Sequence, residues 1–572
     1  MREQEAMQVR FGVMCGGLTF PKWQADAIEM LLALDGVECA LLIIDGRKGE
    51  TKEGRGWRLL KKVPFRNYLW LGYSWLLKRR STAEKPTTLQ HLLAKVPSIN
   101  VQPYRKGKFT ELFADDDVQR IEEHNLDFIL RFGFGIIRGE ILNAARHGVW
   151  SFHHDDEGKY RGGPPCFWEI YHRDRVTGAI LQRLTDRLDA GIVLRKGYLK
   201  TKGRYLKNRD QLFLESSRWP ALVCRNLLHG HSLSTQEMPS ETSALIYHAP
   251  TNGQFLRYLF LAFTSTLRSV YRGLLYVDLW NIGVVEAPIE EFLKSEKPAP
   301  ISWFPLQGKE RFLADPFWLK SSGDSQGRRN LLYEEFFYRD GKGTIVSAEY
   351  HDGGFTAEKK VLSAPHHFSY PFLFEWEGET YMIPETWEAG EVVLYRATAF
   401  PESWEKVSLL IPNFAGVDST IINHNGYFWI FTVDKKDGPH YNLKLFFSMN
   451  LTGEWHPHPQ NPVKTDIRSV RPAGTPFIYE GELYRPAMDY SEKIEGRIQI
   501  NRVVELTTTS YREEVVQIVN PYVDSKFPDK IHTLCAGEGE TLIDGCREVL
   551  ILTHPGLIRY KLKTIADLLR RE

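Results

Sequence analysis

The stretch FSYPFLFEWEGETYMIPE, residues 368–385, reads as two short strands folded about the hairpin residues Glu377 and Gly378, with an aromatic residue and a proline opening the first strand. The pattern recurs on either side of it. Related segments are FLADPFWL at 312–319, VDSTIINHNGYFWIFT at 417–432, VRPAGTPFIYEGELYRPAMD at 470–489 and IHTLCAGEGETLIDG at 531–545. With Asp315, Tyr370, Asp418, Arg471 and His532 as landmarks, the steps are 55, 48, 53 and 61 residues. A repeat of this length, built of short strands that cannot bury their own faces, predicts a five-bladed β-propeller over residues 277–572. A two-sheet sandwich is the alternative, and it leaves the recurrence unexplained. Blade-start residues face a central funnel, so Asp315, Asp418, Arg471, His532 and Glu385 are candidate carbohydrate-binding residues. Carboxylates among aromatics suit sugar binding or hydrolysis, although Asp-Pro and Pro-Glu pairs also serve simply as turns.

Upstream the texture changes. Strand-like runs at Val9–Met14, 38–45 and 126–132 alternate with helical periodicity at Trp23–Leu34, Asp115–Asn125 and Gly139–Ala145. Such alternation predicts a Rossmann-like α/β domain with a mostly parallel sheet and its sites just after the strands. The expected organisation is therefore an α/β domain at 1–205 carrying a basic insert at about 52–108, a helical linker at 206–276, and the all-β propeller at 277–572.

The net charge of +1 over 572 residues hides an asymmetry. Residues 1–276 hold 41 Lys+Arg and 29 Asp+Glu, and the remainder 32 and 43, so the halves carry +12 and −11. Opposite signs imply different partners. The six cysteines show no metal-ligand or disulfide spacing, the charged N-terminus does not resemble a secretory signal, and no apolar run is long enough to span a bilayer. These features predict a reduced, cytoplasmic protein without a metal site. Two basic, aromatic stretches, 58–80 and 255–275, are expected either to pack on their own domain or to touch a membrane surface peripherally.

Residues 148–192 carry the chemistry: GVWSFHHDDEGKYRGGPPCFWEIYHRDRVTGAILQRLTDRLDAGI. Ser151 and His153 lie two apart at a strand end and so share a side, and Asp189 follows 36 residues later. A hydroxyl, an imidazole and a carboxylate on loops after strands suit proton transfer in acyl chemistry. The Gly133-Phe134-Gly135 turn, with Gly139 beyond it, is one residue too long for a dinucleotide fingerprint and sits on the wrong strand.

The ordered series His153, Arg161-Gly162, Pro164-Pro165, Thr177-Gly178 and Leu188-Asp189-Ala190-Gly191 resembles the 10-formyltetrahydrofolate-dependent formyltransferase family, which includes methionyl-tRNA and sugar N-formyltransferases. The match reaches back to RFGFGIIRGEIL at 131–142 and covers roughly residues 9–205. The resemblance implies 10-formyltetrahydrofolate as formyl donor, bound along Arg131, Phe132, Gly133, Phe134, Gly135, Ile136 and Ile137. His153 would take the proton of an attacking amine and Asp189 would orient it, with Arg161 toward the substrate. Ser151 stands where the family has Asn, and His154-Asp155-Asp156-Glu157 replaces a Leu-Pro loop. A Ser hydroxyl also donates to a developing oxyanion, from a different distance.

The second half resembles the N-terminal domain of plant glucosamine inositolphosphorylceramide transferases and the five-bladed glycosidases. The likeness lies in Ala314-Asp315-Pro316, Tyr333-Glu334-Glu335, Ser369-Tyr370-Pro371, Pro384-Glu385, Asp418 and Arg471-Pro472-Ala473-Gly474. An acidic propeller in place of a small basic barrel argues against a transfer-RNA or other nucleic-acid partner. The expected substrate is an amino sugar, nucleotide-linked or in a glycan, recognised by the propeller. The alternatives are a carbohydrate- or membrane-associated binding protein with a decayed transferase site, and a bifunctional formyltransferase-glycosidase.

Overall fold

The structure is a computed structural model that describes residues 8–47, 64–107, 110–187, 191–230, 242–305, 308–319, 329–356, 358–491, 496–553 and 555–562. The chain divides into two units, Met1–Thr266 and Leu267–Glu572. The first is α/β and the second is all-β in its sheets.

The sheet of the first unit has seven strands: β1 (Val9–Cys15), β2 (Val37–Asp45), β3 (Ser98–Val101), β4 (Phe128–Arg131), β5 (Val149–His153), β6 (Val176–Arg183) and β7 (Ile192–Lys200). Their spatial order is β7-β6-β5-β4-β1-β2-β3. The first five strands run parallel, β6 pairs antiparallel with β5, and β7 pairs antiparallel with β6. The apolar runs VRFGVMC and VECALLIID form β1 and β2 because a parallel strand is covered on both faces and has no solvent side to alternate with. Strand order reverses between β1 and β4, which places a crevice at the carboxyl ends of β1, β4 and β5.

Helix α1 (Lys22–Leu32) buries Trp23, Ala27, Ile28 and Leu31, one face of a helix, toward the sheet. After α2 (Tyr68–Lys78) and α3 (Asp115–Glu122) come α4 (Tyr205–Ser216) and α5 (Trp219–Leu228). Helix α5 packs on α1, β1 and β7, and α4 packs on β6. The segment expected as a linker at 206–276 therefore begins with two helices of the α/β core, with Leu212 and Trp219 fully buried. A second correction concerns the basic insert at 52–108. Its described part contains β3, the edge strand of the main sheet, which buries Ile99 and Val101 beside β2. The helix expected at Gly139–Ala145 is a single 3-10 turn, Glu140–Asn143. A further helix, α6 (Asn252–Leu275), begins in the first unit and contains the division at Thr266.

Among the described residues the second unit holds five antiparallel sheets. Four follow one another along the chain and begin at Arg311–Trp318, Ser369–Trp376, Gly416–His424 and Arg471–Pro472. The fifth combines the two ends of the unit: Tyr276–Val285 pairs with Thr541–Leu550 over its whole length, flanked by Ile301–Trp303 and Leu534–Ala536. Successive first strands pack on one another, and Leu534 hydrogen-bonds to Ala473 (2.9 Å) and Thr475 (2.9 Å), tying the last of the four sheets to the shared one. Gly474 sits at this junction with φ of 111° and its α-carbon so close to Leu534 that a Cβ would lie 1.9 Å from the carbonyl oxygen. Only glycine fits there.

Three of the first strands break register at the same place, between Ala314 and Phe317, Ser369 and Phe372, and Val417 and Thr420. At each break stands a residue with positive φ: Asp315 (50°), Tyr370 (45°) and Asp418 (50°). A bulge turns the side chain out of the alternation of its strand, at a backbone cost of about 1–3 kcal/mol for a non-glycine residue. These are the residues that mark the repeat in the sequence.

Candidate functional site

In the first unit, Ser151 and His153 end β5, beside the end of β4. Ser151 is 2% exposed, and its Oγ accepts hydrogen bonds from Arg131 Nε (3.2 Å) and Nη2 (2.9 Å). Arg131 Nη1 donates in turn to the carbonyls of Gly133 (3.2 Å) and Gly135 (2.7 Å). Burial pushes the Arg131 guanidinium below its ordinary pKa, and Glu111 opposes that shift. The Gly135 N–H donates to Glu111 Oε2 (2.7 Å), which is itself held by Arg47 (2.6 Å to Oε1). Ile136 and Ile137 pair with Thr110 and Glu111. The loop expected to bind folate thus has much of its backbone engaged within the unit, and Phe132 is buried against Trp23 and Phe20.

His153 is half-buried, with Nε2 3.4 Å from the Tyr160 carbonyl. Arg161 lies on a short strand paired with Ile246–Tyr247, its Nη1 facing the Ala244 carbonyl (3.5 Å). Asp189 lies outside the described residues. Of the four residues that follow His153, His154, Asp155 and Glu157 are buried. His154 is stacked on Phe213 at 3.7 Å with Nε2 facing Ser216 Oγ (3.1 Å). Asp155 accepts the Cys166 N–H (2.9 Å) beside Glu169, which is fully buried. Burial pushes the Glu169 carboxyl up to about 8 and that of Asp155 well above the usual range, so the site favours the protonated form of this pair. Asp156 and Glu157 pair with Lys196 (3.3 and 2.8 Å).

In the second unit, the bulged first strands gather ionisable side chains at the start of each sheet. Asp418 forms an ion pair with Arg471, and its N–H donates to Glu385 Oε2 (3.1 Å). His532 Nδ1 pairs with Asp544, and its Nε2 is 3.8 Å from Asp315 Oδ1. The Trp280 ring stacks on the His532 imidazole at 3.9 Å. Asp544 also accepts the N–H groups of His532 (2.9 Å), Thr533 (3.0 Å) and Asp315 (3.2 Å). Asp315, His532 and Asp544 offer ligand atoms within 4.8 Å of one another, a donor set with the spacing of a metal site. Tyr370 bridges Thr420 Oγ1 (2.9 Å) and the Gly474 N–H (2.7 Å). Asp315, Glu385, Asp418, Arg471 and His532 are thus brought into two linked groups, to which the structure adds Glu334 and Asp544. Asp544-Gly545 has the look of a turn in sequence, which concealed it.

The titration of this cluster has a definite sign. Burial pushes Asp315 up to about 7, and burial with neighbouring carboxylates raises Glu334 and Glu385 well above the usual range. Burial works against the charge of His532, but Asp544 and Asp315 outweigh it and hold its pKa above the ordinary value. Raised carboxyl and imidazole pKa values both mean that the folded state binds protons more tightly than the unfolded one. The stability they contribute is greatest in acid; the Asp315 part is lost as pH rises from about 4 to about 7, and the His532 part above the ordinary imidazole value. The thermal midpoint of the full chain is expected to fall by a few degrees between about pH 5 and pH 8, and Asp315→Asn to flatten that slope. Equal slopes in both proteins, measured by calorimetry, would refute the assignment.

Comparison with known proteins divides the chain in the same way. The family described as glucosamine inositolphosphorylceramide transferase 1, N-terminal, matches residues 306–526. Glucosamine inositolphosphorylceramide transferase 1 of Arabidopsis thaliana is 39% identical over 214 residues, covering 35% of this chain and 27% of its own. A methionyl-tRNA formyltransferase of Prochlorococcus marinus is 32% identical over 118 residues, 20% of this chain and 33% of the relative. The chain therefore spans about a quarter to a third of the length of these relatives. Among solved structures, a glycinamide ribonucleotide transformylase from Symbiobacterium toebii aligns with 41% of this chain and 93% of its own at 15% identity and a TM-score of 0.28. Part of the chain is thus formyltransferase-like in sequence, and a separate part is similar to the plant transferases.

Proposed function

We propose that the first unit transfers a formyl group from 10-formyltetrahydrofolate to the amine of an amino sugar, and that the second unit is a five-bladed propeller that recognises the carbohydrate. The observation that carries this reading is the placement of Ser151 and His153 at the carboxyl edge of a parallel sheet, beside the point where strand order reverses, within a motif series ordered as in formyltransferases. The amine attacks the formyl carbon, His153 accepts the amine proton, and the bond from that carbon to the folate nitrogen breaks as the proton is passed on to the departing nitrogen. Arg131 donates twice to Ser151 Oγ and occupies the oxygen's lone pairs, while the hydroxyl hydrogen is held by one long bond to the Phe152 carbonyl (3.5 Å), from which it can turn to another acceptor. Ser151 backed by a buried cation is a suitable donor to the oxyanion that forms on the formyl oxygen, the task the family gives to Asn.

The acceptor class is supported by the second unit. The relatives matching it carry glucosamine, an amino sugar, in their name. Its central cluster has carboxyl groups to accept hydroxyl and ammonium donors, and the aromatic face of Trp280 beside His532. Recognition is favoured over hydrolysis because Asp418 is committed to Arg471 and Asp544 to His532, which removes two carboxylates from acid-base work.

A second reading, a decayed transferase retained for carbohydrate or membrane binding, is favoured by the engagement of the 133–137 backbone with Arg131, Glu111 and Thr110. Incubating the full chain with 10-formyltetrahydrofolate and free, nucleotide-linked and glycan amino sugars decides between them by product mass. A product heavier by one formyl group is the expected result. No formylated product, together with no calorimetric binding of a folate analogue, establishes the second reading.

A further inference from the structure

We propose that α2 and the first part of α6 form a docking face for an anionic membrane surface. Both helices are apolar on two sides. Helix α6 turns Phe255, Tyr258 and Leu261 into the unit, while Leu256, Leu259, Phe260 and Phe263, spaced as one face, are 56%, 41%, 64% and 66% exposed. Helix α2 buries Trp70 but leaves Leu69, Trp75 and Leu76 exposed, with Phe65 just before it. The two helices are fixed side by side. Tyr73 and Tyr258 share a hydrogen bond (3.0 Å), Tyr73 packs on Phe255 at 4.9 Å, and Asn252 accepts the Leu69 N–H (3.1 Å) while donating to the Phe65 carbonyl (3.0 Å).

The charge around this face selects its occupant. Residues 64–83 and 242–266 contain Arg66, Lys78, Arg79, Arg80 and Arg257 and not a single Asp or Glu. The Arg79 guanidinium lies 4.0 Å over the exposed Trp75 ring, a cation held at the edge of the apolar surface. A second copy of the chain would bring the same positive charge against this one, whereas an anionic bilayer offers phosphate or carboxylate headgroups to the basic residues and hydrocarbon to the aromatic ones. No described helix is long and apolar enough to cross a membrane, so the geometry is that of helices lying in the interface. This proposal stands apart from the formyl-transfer reading and uses none of its residues.

Cosedimentation of the full chain with vesicles of phosphatidylcholine alone, and of phosphatidylcholine with about one-third phosphatidylserine, tests it. The expected result is partition into the anionic vesicles at least about tenfold stronger than into the neutral ones, weakening with added salt. Phe260→Ser with Phe263→Ser is expected to reduce that partition about tenfold, and Arg79→Glu with Arg80→Glu to remove the preference for anionic lipid. Both phenylalanines are about two-thirds exposed, so the thermal midpoint of the first double variant should match that of the parent. Absence of binding to anionic vesicles overturns the proposal, as does equal binding to both compositions. Self-association in sedimentation that the phenylalanine variant abolishes, without vesicle binding, would instead assign the face to a second copy.

Discussion

His153→Asn is expected to slow formyl transfer by about 100-fold or more, the usual loss when a positioned general base is removed. The substitution is suited to the question because His153 ends β5 with its backbone opposite Ile180, and among the described residues its ring nitrogen meets the Tyr160 carbonyl only at a long 3.4 Å. Asparagine is smaller, still donates a hydrogen bond, and has no nitrogen that accepts a proton near neutral pH. Melting temperature and folate-analogue binding should therefore survive while the chemical step does not. Ser151→Ala should lower the rate less, and the double variant should be little worse than His153→Asn alone, since residues acting on one transition state are not additive. A rate within threefold of the parent, with the folate still bound, would remove His153 from the mechanism.

Arg485→Met is expected to destabilise the protein by about 3–5 kcal/mol, the cost of leaving a buried partner charge uncompensated. Arg485 and Glu513 are each 1% exposed at their side chains and meet through two parallel hydrogen bonds, Nη2 to Oε1 (2.6 Å) and Nε to Oε2 (2.9 Å). Lys464 (2.8 Å) and the Tyr511 hydroxyl complete the shell of the carboxylate. Burial would raise the Glu513 pKa, but Arg485 and Lys464 outweigh it and hold it at about 2. A lowered carboxyl pKa contributes stability that is present above the unfolded value and lost as pH falls from about 4.5 toward about 2. Denaturant titration at neutral pH should show the full loss, and adding Glu513→Gln should recover part of it, since the orphaned charge is then gone. A loss below about 1 kcal/mol would show that Lys464 alone balances Glu513.

Much of the fold is written in local pattern. Asp315, Tyr370 and Asp418 stand out as repeat landmarks because a polar or aromatic residue interrupts an apolar run, and the interruption is physical: each occupies the positive-φ position of a bulge. The long apolar runs of β1 and β2 are equally legible. What escapes notice is short or depends on a distant partner. β3 is four residues with every second one buried, too brief to stand out from the basic stretch that contains it. The amphipathic pattern of α4 and α5 says that one face is covered, not what covers it, and so they resemble a linker. At the candidate site, Ser151 and His153 follow from their spacing, but the inward turn of Arg131 does not, because a charged residue at a strand end is ordinarily solvated. Asp544 is hidden by the following Gly545, which imitates a turn. That glycine is required in mid-strand because a Cβ there would lie 2.3 Å from the Trp303 ring.

The pairing of Tyr276–Val285 with Thr541–Leu550 sets a clock on biosynthesis. The first strand leaves the ribosome more than 250 residues before its partner. At about 5–20 residues per second it waits roughly 13–50 seconds with one edge open. Among the described residues its other edge has only Ile301–Trp303 to pair with in the meantime. An unpaired strand edge invites association between nascent chains, so the second unit is most exposed to aggregation while it is being made and is protected only when its last long strand arrives.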